Sequence, residues 1–122
     1  MANLAKRTTI LVVDDEPLIR CAAADCLRDA GYLILEADDG VEALSFLQEN
    51  PEIGVLFSDI NMPGMDGFAL AIEVRARWPL MGVVLTSGRE RPTFEQMPAR
   101  GYFIGKPYAD RQLTDLMARA VA

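Results

Sequence analysis

Short apolar runs alternate with longer stretches of helical character along the whole chain, and no other feature constrains the fold as strongly. The apolar runs predict strands at residues 9–13, 32–36, 53–58, 81–85 and 102–104. Helices are predicted at 17–30, 39–49 and 109–120, and a further helix follows the turn-rich loop 61–67 and ends near Arg77. Strands that alternate with helices form a parallel sheet, because each connection must cross back over one face. The sequence therefore predicts an α/β domain with helices on both sides of a parallel sheet.

One connection departs from this pattern. A helix is expected between the fourth and fifth strands, but residues 89–100 contain two prolines and little periodicity. Pro92 suits the start of a helix, whereas Pro98 would end it within about two turns because proline lacks a backbone N–H group. We therefore predict a short or irregular fourth helix of at most one or two turns. We also expect weaker protection from hydrogen exchange here than in the other helical segments.

Length and charge exclude several classes of protein. The 122 residues suit a single domain, which we expect to span 1–122. The apolar stretches are far shorter than the roughly 20 residues that cross a bilayer, and the first residues lack the apolar core of a signal peptide. The expected location is therefore the cytoplasm, with no membrane partner. The formal net charge of −6 disfavours nucleic acid as a partner, since phosphate backbones attract positive surfaces.

Histidine and cysteine usage limits the chemistry further. The chain has no histidine, which excludes Ser-His-Asp and Cys-His hydrolases and any histidine-ligated metal site. Its two cysteines, Cys21 and Cys26, lie five positions apart on a predicted helix and match neither a redox nor a zinc spacing. We expect both cysteines to lie in or near the core.

Charged side chains follow three of the predicted strands. Asp14 and Asp15 come directly after the first strand, Asp59 follows the third, and Lys106 follows the fifth. Residues just beyond the carboxyl ends of neighbouring parallel strands meet in one crevice, where ligands bind. The pattern therefore predicts a pocket that contains three carboxylates and one ammonium group.

Such a pocket needs a counter-charge, because two carboxylates about 4 Å apart repel each other by on the order of 1–4 kcal/mol. Mg²⁺ prefers hard oxygen ligands and suits one or two carboxylates together with a phosphate. Asp59 would then be the nucleophile that receives a phosphoryl group, with the Lys106 ammonium and the Thr86 hydroxyl offsetting its charge. Taken singly, these residues have simpler interpretations. Asp14 and Asp15 could cap the helix that begins at Pro17. Lys106 could be an ordinary solvated lysine, and Thr86 an ordinary threonine at a strand end.

The combination of motifs resembles the receiver domain of two-component response regulators. The resemblance covers essentially the whole chain and implies a flavodoxin-like fold, a doubly wound five-stranded parallel sheet of order 2-1-3-4-5. It implies a phosphoacceptor signalling switch rather than an enzyme. The motifs that carry it are Leu11-Val12-Val13-Asp14-Asp15-Glu16-Pro17, Ser58-Asp59-Ile60-Asn61-Met62-Pro63-Gly64-Met65-Asp66-Gly67, Leu85-Thr86-Ser87-Gly88 and Lys106-Pro107-Tyr108.

The resemblance also implies a role for each site residue. Asp59 would accept a phosphoryl group from a partner histidine kinase or histidine phosphotransfer protein. Asp15 and Asp59 would bind Mg²⁺ directly, together with the backbone carbonyl of Asn61, while Asp14 would act largely through a metal-bound water. The phosphoryl oxygens would be contacted by Thr86 and Lys106.

In such domains phosphorylation draws the Thr86 hydroxyl inward, and an aromatic side chain three positions before the lysine follows it. Phe103 occupies that position, and plain edge core is its alternative interpretation. Tyr102 is the weaker candidate because strand parity points it to the opposite face. The irregular segment 89–100 departs from the family pattern, so we do not carry over a partner interface that includes the fourth helix.

Other functions stay open. A phosphohydrolase of the haloacid dehalogenase type would share the aspartate, Mg²⁺ and lysine, but it needs a second acid two positions after the nucleophile. Asn61 stands there, and a neutral amide cannot act as acid or base. The chain could also be a degenerate receiver that only binds, a phosphate sink, or the receiver module of a longer hybrid kinase. The downstream protein target is unknown.

Overall fold

The computed structural model describes residues 8–122. Strands and helices alternate over this range as the sequence predicts. The sheet is parallel throughout, with strand order β2-β1-β3-β4-β5, which confirms the predicted doubly wound fold. The strands are β1 (Thr9–Val13), β2 (Leu33–Ala37), β3 (Ile53–Asp59), β4 (Gly82–Ser87) and β5 (Gly101–Gly105), and the helices are α1 (Pro17–Asp29), α2 (Gly40–Glu49), α3 (Gly67–Arg77) and α4 (Asp110–Val121). None of these helices is long and apolar enough to cross a membrane.

Alternate residues of the central strands pack into two separate apolar layers. Leu11, Leu56 and Leu85 face α2 and α3 and belong to one buried cluster. Their neighbours Val12, Phe57 and Val84 belong to the second cluster, which includes buried residues of α1 and α4. Because side chains alternate between faces along a strand, a sheet covered on both faces needs apolar residues at successive positions. This explains why the strands read as continuous apolar runs.

The connection between β4 and β5 contains only a short 3-10 turn, Phe94–Gln96, as predicted. A reciprocal pair of hydrogen bonds closes it: Gln96 N donates to Thr93 Oγ1 at 3.3 Å, and Thr93 N donates to Gln96 Oε1 at 2.9 Å. The segment therefore has a defined start but too few residues to cover the sheet as a full helix would.

Strands β3 and β4 both continue beyond their predicted carboxyl ends. The predicted third and fourth strands end at Ser58 and Leu85, whereas β3 includes Asp59 and β4 extends to Ser87. The extra length comes from parallel pairing of Asp59 with Thr86, after which Ile60 N donates to Thr86 O at 2.9 Å. Asp59 and Thr86 are thus held by the sheet itself rather than by loops.

The prediction for one cysteine was wrong. Cys26 is half-buried and packs against the core, but Cys21 is exposed. The buried residues of α1 are Ala23, Ala24 and Leu27. Cys21 lies about 120° around the helix from Leu27, because six residues advance it by about 600°. Its position on α1 therefore points it away from the core.

Candidate functional site

The acidic pocket, defined here by Asp14, Asp15, Asp59 and Lys106, lies at the carboxyl edge of the sheet. Asp14 follows β1, Asp59 ends β3, and Lys106 follows β5. The side chains of these three residues meet although they are far apart in sequence, as predicted. Asp14 and Asp59 are each only 4% exposed, whereas Asp15 is exposed.

Lys106 is the cation of this pocket. Its Nζ lies 3.3 Å from Asp14 Oδ2 and 3.4 Å from Asp59 Oδ2. One ammonium group therefore contacts two buried carboxylates, and the exposed Asp15 adds a further negative charge nearby. The pocket keeps an excess of negative charge that a cation would offset.

Burial raises the pKa of Asp59, and the neighbouring Asp14 carboxylate raises it further, while the Lys106 ammonium acts in the opposite direction. Tyr108 forms part of the wall beside Asp14 and Asp59. Burial, together with nearby negative groups headed by Asp14, raises the pKa of Tyr108 to about 12. The Tyr108 hydroxyl therefore stays protonated near neutrality and adds no negative charge beside the two buried carboxylates.

The donor set fits a hard divalent cation. Carboxylate oxygens of Asp14, Asp15 and Asp59 all lie within 4.8 Å of one another. Asn61 N donates to Asp59 Oδ1 at 3.4 Å, so the Asn61 backbone lies beside the same carboxylate. Several oxygen ligands clustered near one another are what Mg²⁺ requires in a protein site.

Thr86 carries an unused hydrogen-bonding group. The residue is 3% exposed, and its Oγ1 is buried without a hydrogen-bond partner among residues 8–122. Buried hydroxyls normally have a partner, so this hydroxyl is free to bond a ligand that enters the pocket. An oxygen-rich group beside Asp59 would supply an acceptor for this hydroxyl.

The helix-capping alternative for the two aspartates is not supported. The residue at the cap position of α1 is Glu16, and no side chain caps this helix end. Asp14 Oδ1 instead accepts a hydrogen bond from Glu16 N at 2.9 Å, which fixes the carboxylate against its own loop. This leaves Asp14 Oδ2 directed at Lys106.

Arg20 supports the loop that carries Asp14 and was not predicted. Its Nη1 donates to the backbone carbonyl of Asp14 at 2.8 Å and lies 2.7 Å from Asp38 Oδ1. Its Nε lies 3.2 Å from Glu36 Oε1. Glu36 in β2 and Asp38 just after that strand therefore hold the guanidinium in place. The sequence shows a basic residue early in α1, but it does not indicate this contact because the acceptor is a main-chain atom.

Two further residues shape the pocket without having been predicted. Ser87 Oγ accepts a hydrogen bond from Asn61 Nδ2 at 3.0 Å and also accepts from the backbone N–H groups of Arg89 and Glu90. Gly67 begins α3 so close to β3 that an added Cβ would collide with the Asp59 carbonyl and lie 2.7 Å from Ile60 Cα. The quoted motifs contain both residues, but their contacts depend on how the loops fold.

The two aromatic residues of β5 lie on opposite faces. Phe103 is half-buried against the cluster that contains Leu85, its partner in β4, and the Arg91 guanidinium lies 5.3 Å from its ring centroid. Tyr102 packs with the cluster on the α1 and α4 side, next to Arg119.

A family model described as the response regulator receiver domain matches residues 10–118, which include every predicted site residue. The chain belongs to this family. The receiver domain is a module of two-component signalling, and this chain has the flavodoxin-like sheet of that domain.

Relatives of this receiver domain occur inside larger proteins. The chain is 35% identical over 115 residues to the sensor kinase CckA of Brucella abortus, covering 91% of this chain but 12% of the kinase. It is 46% identical over 77 residues to the sensor histidine kinase RcsC of Escherichia coli, covering 61% of this chain and 8% of that protein. The chain thus spans only a small part of these curated relatives.

Solved structures show the same fold. The chemotaxis protein CheY4 of Vibrio cholerae superposes with a TM-score of 0.85 at 30% identity, covering 93% of this chain and 98% of that chain. The receiver domain of the hybrid histidine kinase CckA superposes with a TM-score of 0.82 at 36% identity, covering 93% and 99%.

Proposed function

We propose that this receiver domain is a phosphoacceptor switch in which Asp59 accepts a phosphoryl group from a phosphohistidine of a partner protein. A carboxylate oxygen of Asp59 attacks the phosphorus, the N–P bond breaks, and its electron pair returns to the imidazole of the partner. The observation that carries this proposal is the contact of one ammonium group, Lys106, with both Asp14 and Asp59 in a pocket that retains excess negative charge.

The side chains around Asp59 would each have a defined task. Lys106 and Thr86 would hold two phosphoryl oxygens, since one is a cation at the pocket and the other is a hydroxyl that lacks a partner. Asp14, Asp15, Asp59 and the backbone carbonyl of Asn61 would hold Mg²⁺. The ion would offset the charge of the carboxylates and of the incoming phosphoryl group.

A change at Thr86 would reach β5 through the sheet. We infer that Phe103 follows the Thr86 hydroxyl when that side chain moves, because its ring is only half-buried and lies on the strand next to β4. Movement of the ring would also disturb Arg91, which stacks against it.

The proposal treats the chain as a single receiver domain over residues 1–122. Support at the end of the matched region comes from α4, which continues to Val121 and buries Ala120 in the second apolar cluster. The cytoplasmic location, the lack of enzymatic turnover and the absence of a nucleic-acid partner stay predictions. The side-chain amide of Asn61 donates to Ser87, which fits a structural role rather than acid–base chemistry.

A second candidate function has specific support. The matches to two sensor kinases support a role for this receiver as the module of a hybrid kinase. An antibody raised against the chain would distinguish the two on a blot of native cell extract. A band near 13.4 kDa supports a separate regulator, and a much larger band supports the hybrid kinase.

Incubation with acetyl phosphate and Mg²⁺ tests the phosphoacceptor directly. Intact-mass measurement should show one added phosphoryl group on the wild type and none on Asp59→Asn. The matched control is Asp66→Asn, which keeps a residue able to cap α3 and lies outside the pocket, and which should be modified like the wild type. A phosphorylated Asp59→Asn chain would contradict the proposal.

A further inference from the structure

A groove lies between α3 and the segment 89–100, at the place where a full fourth crossover helix would pack. Its volume is about 550 Å³, which is within the range of ligand pockets. Ile72 on its α3 wall is 70% exposed, although isoleucine is among the residues most often buried. Its apolar wall consists of Phe68, Ala71, Ile72, Ala76, Met97 and Pro98.

Arg75 also lines the groove, and its guanidinium group has unused donors. Arg75 Nη1 donates to the backbone carbonyls of Trp78, Pro79 and Met81 at 3.3, 2.9 and 2.8 Å. Its Nε and Nη2 are buried and have no hydrogen-bond partner within the described residues 8–122. Buried donors without an acceptor are rare, and a charged one is especially costly.

A second arginine lies near the first. Burial lowers the pKa of Arg75, and the nearby positive charge of Arg100 lowers it further. Arg100 adopts a φ of 59°, a left-handed conformation that non-glycine residues seldom take. Neither arginine forms an ion pair with an acid of the part of the chain that the structure describes, even though Glu95 lines the same groove. The groove therefore combines apolar walls with unneutralised positive charge.

We propose that this groove docks a segment of a partner protein that presents one Asp or Glu side chain among apolar residues. The carboxylate would accept hydrogen bonds from Nε and Nη2 of Arg75, a two-point arrangement that guanidinium groups favour. The neighbouring apolar side chains would cover Phe68 and Ile72. The two donors are covered in the free chain, so we expect side chains that line the groove to move aside on docking. This docking does not depend on phosphorylation of Asp59.

A phage-displayed library of random peptides, selected on the immobilised full chain, tests the proposal without a known partner. Enriched peptides should contain one acid among apolar residues and should bind Ile72→Glu at least about tenfold more weakly, because that change places a carboxylate on the apolar wall. The control is Val41→Glu, since Val41 has the same 70% exposure but lies on α2, and its binding should match the wild type. Failure to enrich such peptides, or equal binding to Ile72→Glu, would overturn the proposal.

The role of the carboxylate needs its own test. An enriched peptide in which the acid is replaced by Gln should bind the wild type about tenfold more weakly, because a charge-assisted hydrogen bond is lost. The same replacement should make little difference with Arg75→Gln. If Arg75→Gln fails to fold, the side-chain Nε–H signal of Arg75 in the wild-type NMR spectrum supplies the answer. It should shift with the acidic peptide and not with the Gln peptide, and equal shifts would refute the two-point contact.

Further measurements test two other occupants of the groove, a second copy of the chain and the side chain of Glu95. Sedimentation velocity detects a second copy of the chain: a dimer that Ile72→Glu abolishes would assign the groove to self-association and overturn the proposal. Glu95→Gln detects an internal partner. If that change alone shifts the Arg75 signal as far as the peptide does, Glu95 already neutralises Arg75 in solution and the proposal fails. An unshifted signal supports it.

Discussion

The acidic pocket and the groove between α3 and the segment 89–100 both leave charge incompletely neutralised, but the two charges have opposite signs. In the pocket, two buried carboxylates share one ammonium group. In the groove, Arg75 is held by backbone carbonyls and lies near a second arginine, with no acid paired to either within residues 8–122. The opposite signs are the basis of the two proposals, in which the pocket takes a cation and a phosphoryl group and the groove takes a carboxylate.

The largest expected effect is on the rate of phosphorylation, which should depend on the acidic pocket and not on the groove. Lys106→Met should slow phosphorylation by acetyl phosphate about 100-fold, because it removes the only ammonium group that contacts both Asp14 and Asp59 among the described residues. Arg75→Gln should leave that rate within about twofold, since Arg75 bonds carbonyls beyond α3 rather than any residue of the pocket. Rates come from intact mass against time. A comparable loss in both variants would mean that the two regions are not independent.

A smaller effect should come from the support of the Asp14 loop. Arg20→Ala should lower the phosphorylation rate about tenfold and raise the Mg²⁺ concentration needed for half-maximal rate, because the carbonyl of Asp14 loses its donor. Arg20→Lys should restore part of the Mg²⁺ response. The control is Arg28→Ala, which also removes a partner of Glu36 but does not touch Asp14. Unaltered Mg²⁺ dependence in Arg20→Ala would rule out a positioning role.

The two walls of the groove should differ in hydrogen exchange. Amides of residues 89–100 should be protected at least about tenfold less than those of α3, because the 3-10 turn offers few backbone hydrogen bonds and lies at the surface. Exchange measured by NMR or mass spectrometry on the unmodified chain gives the comparison. Equal protection of both walls would show that the segment is as firmly held as a full helix.

The smallest effect concerns stability. Burial and Asp14 raise the pKa of Asp59 above its ordinary value of 3.8. As the pH rises past that value, the unfolded chain loses the proton first, so the free energy of unfolding falls until the folded carboxyl has also ionised. Asp59→Asn removes this penalty. At pH 7 without Mg²⁺ it should raise the free energy of unfolding by about 1 kcal/mol and the Tm by a few degrees.

That stability gain should vanish as the pH falls to about 3, where the carboxyl is protonated in both states. Added Mg²⁺ should also reduce the difference in Tm between Asp59→Asn and the wild type, since ligand binding stabilises the wild type. Asp115→Asn serves as the control because its side chain is 73% exposed. A lower Tm for Asp59→Asn at pH 7 would show that Lys106 more than offsets the repulsion, contrary to the direction expected here.

How much the sequence predicts depends on what holds each residue in place. Asp14, Asp59 and Lys106 were predictable because strand ends in a parallel sheet converge, whatever the loops do. Arg20 was not, since its acceptor is a main-chain carbonyl that no residue type announces. Cys21 was misplaced because its exposure depends on the rotation of α1 about its axis.

The groove shows a second limit. The two prolines predicted a short or irregular fourth helix, but not which side chains of α3 this would leave uncovered. Arg75 reads in the sequence as an ordinary basic residue in the last turn of a helix, where such residues favour the helix dipole. Its contacts depend on how the chain turns after α3, which brings the carbonyls of Trp78, Pro79 and Met81 to its guanidinium group.

The central claim, that Asp59 is the phosphoacceptor, is tested most directly by mapping the modified residue. The chain phosphorylated with acetyl phosphate and Mg²⁺ is reduced with borohydride, which converts an aspartyl phosphate to homoserine, and is then digested and sequenced by mass spectrometry. We expect homoserine at position 59 and none at Asp14, Asp15 or Asp66. Homoserine at any of those three positions, with Asp59 intact, would contradict the account.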